Sequence, residues 1–234
     1  MPRQARNAPG GLVYHVLNRA NGRLRLFKKP EDFLAFERVL KEAHAQVPIR
    51  ILGWCFMPNH WHFVLWPESD GQLTAFMRKL THTHAQRWKT AHNAVGHGHL
   101  YQGRFKSFPV QSDEHLLTLL RYVERNPLRA KIVRRAEQWR WGSYHVRRTR
   151  GHELYPLLAE GPINLPKDWS RWVHDPETAA EQAQLREHIQ RSRPLGDAKW
   201  TAATARRLGL ETSLRPRGRP VGWRKKKTKE LTTE

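Results

Sequence analysis

The chain has 234 residues, enough for one substantial domain with an appendage or for two small ones. Its 42 Lys and Arg against 21 Asp and Glu give a formal charge of +21, far more than solubility requires and of the sign that attracts a polyanion, so nucleic acid is the first partner to consider. A single cysteine, Cys55, excludes an internal disulfide and a multi-cysteine zinc site, and nowhere do 18 uncharged apolar residues run together, so the expected place of work is the cytoplasm, at the nucleoid.

The excess charge is spread out, with +13 over residues 1–135 and +8 over residues 136–234. Residues 12–19 are β-branched and aromatic behind a Gly-Gly break and read as a strand. Pro30 opens a helix over residues 30–46 with Phe33, Phe36, Val39, Leu40 and Ala43 on one stripe. Residues 49–57 and 60–66 are apolar runs separated by Pro58 and Asn59, which predicts an antiparallel hairpin. A long helix is predicted over residues 71–92, then a short strand over residues 105–111 whose Pro109 suits an edge or a bulge. Ser112 is the predicted cap of the next helix, whose apolar stripe is Leu116, Leu119, Leu120 and Val123. The order matches an α+β fold: a ferredoxin-like split β-α-β antiparallel sheet with helices on one face, an extra helix, and a C-terminal helical and basic extension.

The expected division is residues 1–135 as the chemical domain, residues 136–200 as a helical extension packed on it, and residues 201–234 as a basic, flexible DNA-binding tail. Trp139, Trp141 and Tyr144 form an aromatic cluster in the extension, and a polar helix is predicted over residues 176–192.

Chemistry concentrates at two places. His60, Trp61 and His62 begin the second hairpin strand, where alternation puts both imidazoles on one face and presents two nitrogens to a single cation. A lone His-x-His is as often an ordinary polar pair, but two imidazoles on a buried face of so apolar a hairpin need ligation or hydrogen bonding. The other place is the helix behind Ser112. There Tyr122 lies off the apolar stripe, near Thr118, Arg125 and Asn126, and Asn126 is four residues further on, where its amide oxygen can serve as a third ligand. His82 and His84 diverge on their helix, and His97 and His99 fall in a glycine-rich loop.

Phe56-Met57-Pro58-Asn59-His60-Trp61-His62, Gln102-Gly103-Arg104-Phe105-Lys106-Ser107 and Tyr122-Val123-Glu124-Arg125-Asn126-Pro127, in that order, resemble the REP-associated tyrosine transposases, a branch of the single-tyrosine HUH transposases. Tyr14-His15-Val16 with Asn18, Arg19 and Asn21 is similar to the first strand of that family and the turn after it; Ala20 departs from the pattern, which has glycine there. The resemblance spans about residues 12–145. It implies a metal-dependent nuclease and strand-transferase that recognises repetitive extragenic palindromes folded as hairpins. Tyr122 is the implied catalytic nucleophile, leaving a 5′-phosphotyrosine and a free 3′-hydroxyl. His60, His62 and Asn126 are the candidate metal ligands, and two imidazoles with an amide, leaving room for water and a phosphate oxygen, suit Mg²⁺ or Mn²⁺.

Arg19, Arg104, Lys106, Arg121, Arg125 and Arg129 are candidate DNA-binding residues around that site, and Arg217 and Arg219 sit in an AT-hook-like Arg-Gly-Arg-Pro in the tail. The same basic, aromatic composition also suits a hairpin-binding regulator that does not cut, or an RNA-binding protein or ribonuclease. Monomer and homodimer both stay open.

Overall fold

The computed structural model describes residues 7–215. The first strand, β1 (Val13–Arg19), follows Gly10 and Gly11. A Cβ on Gly10 would stand 2.5 Å from the Glu68 carbonyl oxygen, and Gly11 has φ +78°, so this entry needs both glycines. Helix α1 (Pro30–Gln46) starts on Pro30, and the Asp32 carboxylate accepts from the Lys28 and Lys29 amides at 2.8 and 3.2 Å. Strands β2 (Arg50–Met57) and β3 (His60–Trp66) form the predicted hairpin across Pro58-Asn59, followed by α2 (Gln72–Ala91) and β4 (Lys106–Val110).

The sheet is antiparallel in the order β2-β3-β1-β4, the ferredoxin-like split arrangement, with Pro109 on an edge strand where its missing N–H is least needed. Alternation sorts the strand residues. Tyr14, Val16, Trp54, Phe56, Trp61 and Phe63 join α1 and α2 in one apolar core. Val13, Cys55, Met57, Val64 and Phe108 join Leu116, Leu119 and Val123 of α3 (Glu114–Glu124) in a second. The sheet is therefore covered on both faces: α1 and α2 occupy the expected one, and the extra helix lies across the other.

Residues beyond 135 finish that second layer and close the sheet edges. Trp139 Nε1 donates to the Phe56 carbonyl at 2.9 Å, Trp141 stacks on Phe33 at 4.6 Å, and the Ala159 amide reaches the Ile51 carbonyl at 2.9 Å, so the β2 edge is capped. At the β4 edge the Leu195 amide donates to the Pro109 carbonyl and the Gln111 amide to the Leu195 carbonyl, at 2.9 and 2.8 Å. The helices after α3 are α4 (Asn126–Arg129), α5 (Ser143–Arg148), α6 (Trp169–His174), α7 (Ala179–Arg191) and α8 (Ala198–Leu208). Helix α8 runs across the expected division at residues 200 and 201, because Asp197 caps it and Gly209, at φ +69°, ends it.

Two local expectations change. Asp113, not Ser112, caps α3, its carboxylate accepting from the His115 amide at 2.9 Å. Ala20 has φ −59° and ψ 147°, open to any residue, and the left-handed residue of that turn is Gly22 at φ 54°, so the departure from glycine is accommodated. No described helix is long and apolar enough to cross a membrane.

Candidate active site

The Pro58-Asn59 turn delivers His60 and His62 to the α3 face of β3, where His60 pairs with Arg19 of β1 and His62 lies between Leu17 of β1 and Cys55 of β2. The two imidazoles are perpendicular with centroids 5.0 Å apart. Desolvation, reinforced by Arg19 and Arg129, lowers the His60 pKa to about 4. Burial, with the charges of His60, His15 and Arg129, holds His62 well below the usual range. Both rings are therefore neutral near pH 7. His60 Nδ1 meets Asn59 Oδ1 at 2.7 Å and His62 Nδ1 meets His15 Nε2 at 2.9 Å.

Helix α3 brings Tyr122 to the same place: its ring stands at 90° to that of His62 with centroids 6.2 Å apart, within one chain. Expected on a polar helix side, Tyr122 is only 7% exposed and belongs to the second apolar core. The residues beyond 135 cover the side of α3 that a sequence window leaves open. Asn126 is also buried, but α3 stops at Glu124 and Asn126 opens the short α4 with Pro127 behind it, so the spacing of one continuous helix does not carry over.

The candidate DNA-binding arginines divide. Arg19, Arg104 and Lys106 are exposed, and the pairings of Arg19 with His60 and of Lys106 with Leu17 put those two at the rim of this face. Arg121, Arg125 and Arg129 are not on an open face. Arg125 Nε and Arg129 Nη1 pair with the two oxygens of Glu177, whose side chain is fully buried, at 3.1 and 3.2 Å. Arg125 also donates to the Val173 carbonyl at 2.7 Å, and Arg121 pairs with Glu181 at 2.7 Å. Arg129 spans both settings, its guanidinium 3.8 Å over the Tyr122 ring while Nη1 donates to the Tyr122 carbonyl at 3.3 Å. Arg217 and Arg219 lie outside the described residues.

The carboxylate of Glu124 adds a second tether, accepting from Ser143 Oγ at 2.7 Å, Arg147 Nε at 3.2 Å and Trp169 Nε1 at 2.8 Å. Helix α3 is thus held between Glu124, reaching α5 and α6, and Glu177 and Glu181, reaching back from the start of α7. His15 and Glu124 stand in the motifs quoted above without a role of their own, and Glu177 stands outside them. A buried polar residue inside an otherwise apolar strand was the available signal for His15; Glu177, in a connection between helices, had none.

The donor set fits a divalent cation in its chemistry: two neutral imidazoles, each with Nδ1 engaged by a neighbour, so that Nε2 is the nitrogen each would offer. Among the described residues no group of three or more His, Cys, Asp and Glu side chains is arranged around a metal position.

Residues 10–126 match the family described as IS200-like transposases, and the chain belongs to that family. Its fold is similar to the solved structure of a REP-associated tyrosine transposase bound to a REP hairpin, with a TM-score of 0.51 and 20% identity, over 71% of this chain and 95% of that one. A protein of Deinococcus radiodurans R1, described as a transposase, aligns with a TM-score of 0.38 and 17% identity over 53% of this chain and 97% of its own. No curated protein matches the chain.

Proposed function

We propose that this transposase is a metal-dependent single-stranded DNA endonuclease and strand-transferase, working at the nucleoid on palindromic hairpins of the REP type, with Tyr122 as nucleophile. The observation that carries the reading is the 6.2 Å approach of the Tyr122 ring to His62 in a single chain. In the reaction, the Tyr122 oxygen bonds to phosphorus while the bond from phosphorus to the 3′-oxygen breaks. The phenolic proton is lost, and the departing 3′-oxygen takes up a proton to become a hydroxyl. The phosphodiester linkage is conserved as a 5′-phosphotyrosine, so a second 3′-hydroxyl can reverse the step and join a new partner.

A free phenol has a pKa of about 10 and needs help to attack at neutral pH. Bound Mg²⁺ or Mn²⁺ would supply positive charge where the phosphoryl oxygens gain negative charge. His60 and His62 would hold it, with the Asn126 amide as third ligand. Arg129, over the Tyr122 ring, fixes the orientation of the nucleophile and adds positive charge beside it. Arg19 and Lys106, exposed at the rim, and the exposed Arg104 would follow the phosphates of the incoming strand. The hairpin held by the structural neighbour supports a palindrome as the ligand class.

The test uses a labelled hairpin oligonucleotide drawn from DNA flanking the gene, with Mg²⁺, Mn²⁺ or chelator. The wild type should form a covalent adduct with cation and none in chelator, while Tyr122→Phe should shift the hairpin without an adduct. A wild type that shifts the hairpin but never forms an adduct would overturn the reading in favour of a regulator that binds without cutting. Preference for the RNA form of the same hairpin would overturn the choice of DNA.

A further inference from the structure

We propose that His15 is a positioning residue for His62: its Nε2 accepts the Nδ1–H of His62, which leaves the lone pair of His62 on Nε2, the nitrogen that ligates. The inference rests on reading His60 and His62 as a cation-holding pair.

A neutral imidazole carries one N–H and one lone pair, so which nitrogen can ligate depends on what the other one does. For His60 the direction follows from chemistry. Asn59 Oδ1 only accepts, hence the 2.7 Å contact puts the proton on His60 Nδ1 and leaves Nε2 bare. For His62 the partner is another imidazole, which can donate or accept. If His15 donated, His62 would carry its proton on Nε2 and could not ligate; once Nε2 ligates, Nδ1 holds the proton and His15 Nε2, 2.9 Å away, is its acceptor.

The geometry suits that role. The two rings are within 8° of parallel, and their 5.0 Å centroid separation is just short of the 2.9 Å contact plus the two ring radii, the most that this contact allows, so they meet edge to edge and the bond lies close to the plane of both. His15 is fully buried, its ring set by the edge of Phe108 at 5.0 Å and by its place on β1 opposite Val64, two residues from His62 on the neighbouring strand. Its Nδ1 is buried and finds no partner among the described residues. With Nε2 accepting, the proton of neutral His15 sits on that Nδ1, and the contact with His62 is the hydrogen bond its side chain makes. Asn59 and His15, from a turn and a neighbouring strand, thus do the same thing for the two imidazoles.

The experiment measures Mn²⁺ binding to the full chain by calorimetry or electron paramagnetic resonance, alongside circular dichroism. His15→Phe, similar in shape but unable to accept, should weaken Mn²⁺ binding about 10- to 100-fold. His15→Gln, whose amide oxygen accepts, should recover part of that loss, and hairpin binding in chelator should be unchanged in both. A folded His15→Phe that binds Mn²⁺ as tightly as the wild type overturns the proposal. Should His15→Phe fail to fold, nitrogen-15 spectra of histidine-labelled wild type with Mg²⁺ decide it: His62 protonated on Nδ1 supports the proposal, and His62 protonated on Nε2 overturns it. His62→Ala separates the two levels. If it leaves Mn²⁺ binding intact, the ligand reading itself falls and the role of His15 with it. If His62→Ala weakens binding and His15→Phe does not, only the role of His15 is lost.

Discussion

Glu177 is the point at which the tyrosine-bearing helix depends on residues far along the chain, and Glu177→Gln tests that dependence. Its carboxylate is wholly buried between Arg125, whose side chain is 8% exposed, and Arg129, at 16%. Glutamine preserves the shape but removes the charge facing two guanidinium groups that cannot lose their own. Breaking a buried ion pair by deleting one partner costs about 3–5 kcal/mol, since the remaining charge is left desolvated. For a chain of this size each kcal/mol lowers Tm by about 2–4 °C, so the expected fall is about 6–20 °C. Calorimetry or circular dichroism measures it, and because the pair is buried, added salt should change the difference little. Arg129 loses the anchor that holds it over the Tyr122 ring, so adduct formation should slow as well. Adding Arg125→Met to Glu177→Gln should restore part of the stability, a non-additivity of about 0.5–3 kcal/mol. A fall in Tm of less than about 2 °C for Glu177→Gln would refute the view that this network holds α3, because that is the scale of an exposed pair.

Two further outcomes follow from single residues. Asp113→Ala should cost about 0.5–2 kcal/mol in chemical denaturation, whereas Ser112→Ala should cost little, because the side chain that accepts from the α3 amide is Asp113; the reverse order would count against that cap. His84 is buried against the Tyr101 hydroxyl, and desolvation lowers its pKa from 6.5 to about 3. The unfolded chain therefore binds this proton first, so the stability His84 contributes is full above about pH 6.5 and is lost as pH falls toward 3. Glu37, pushed up to about 7 by burial, acts in the opposite sense between its usual 4.5 and 7. Melting His84→Gln beside the wild type from pH 7.5 to 4 isolates the histidine: the variant should lose less stability on acidification, and parallel curves would count against a neutral buried His84.

Much of the architecture was legible because it follows from periodicity. Alternation in residues 12–19, 49–57 and 60–66 and the stripe of Phe33, Phe36, Val39, Leu40 and Ala43 depend on which face meets apolar neighbours, and neighbours in sequence are enough to show that. The pairing of His60 with His62 was legible for the same reason, since strand alternation is local. The surroundings of Tyr122 were not. A helical projection of residues 114–126 puts Tyr122, Arg121 and Arg125 on a polar side, and that side is covered only when α6 and α7 return over it with Glu177 and Glu181. Arginines near a DNA-processing motif look like phosphate ligands until their carboxylate partners, some 50 to 60 residues away, are seen. The capping of both sheet edges by residues 139–159 and 195 was hidden likewise, because backbone bonds to an edge strand leave no pattern in the side chains.

By itself the sequence determined the strands and helices, the two faces of the sheet and the presence of a paired imidazole motif with a tyrosine helix, all properties set by spacings of a few residues. Only the tertiary structure decided which charges are interior, which nitrogen of His62 meets His15, and that Tyr122 reaches His62 within its own chain. Those depend on segments distant in sequence arriving at one place, and burial, which sets both the protonation of the histidines and the strength of the ion pairs, exists only once they have arrived.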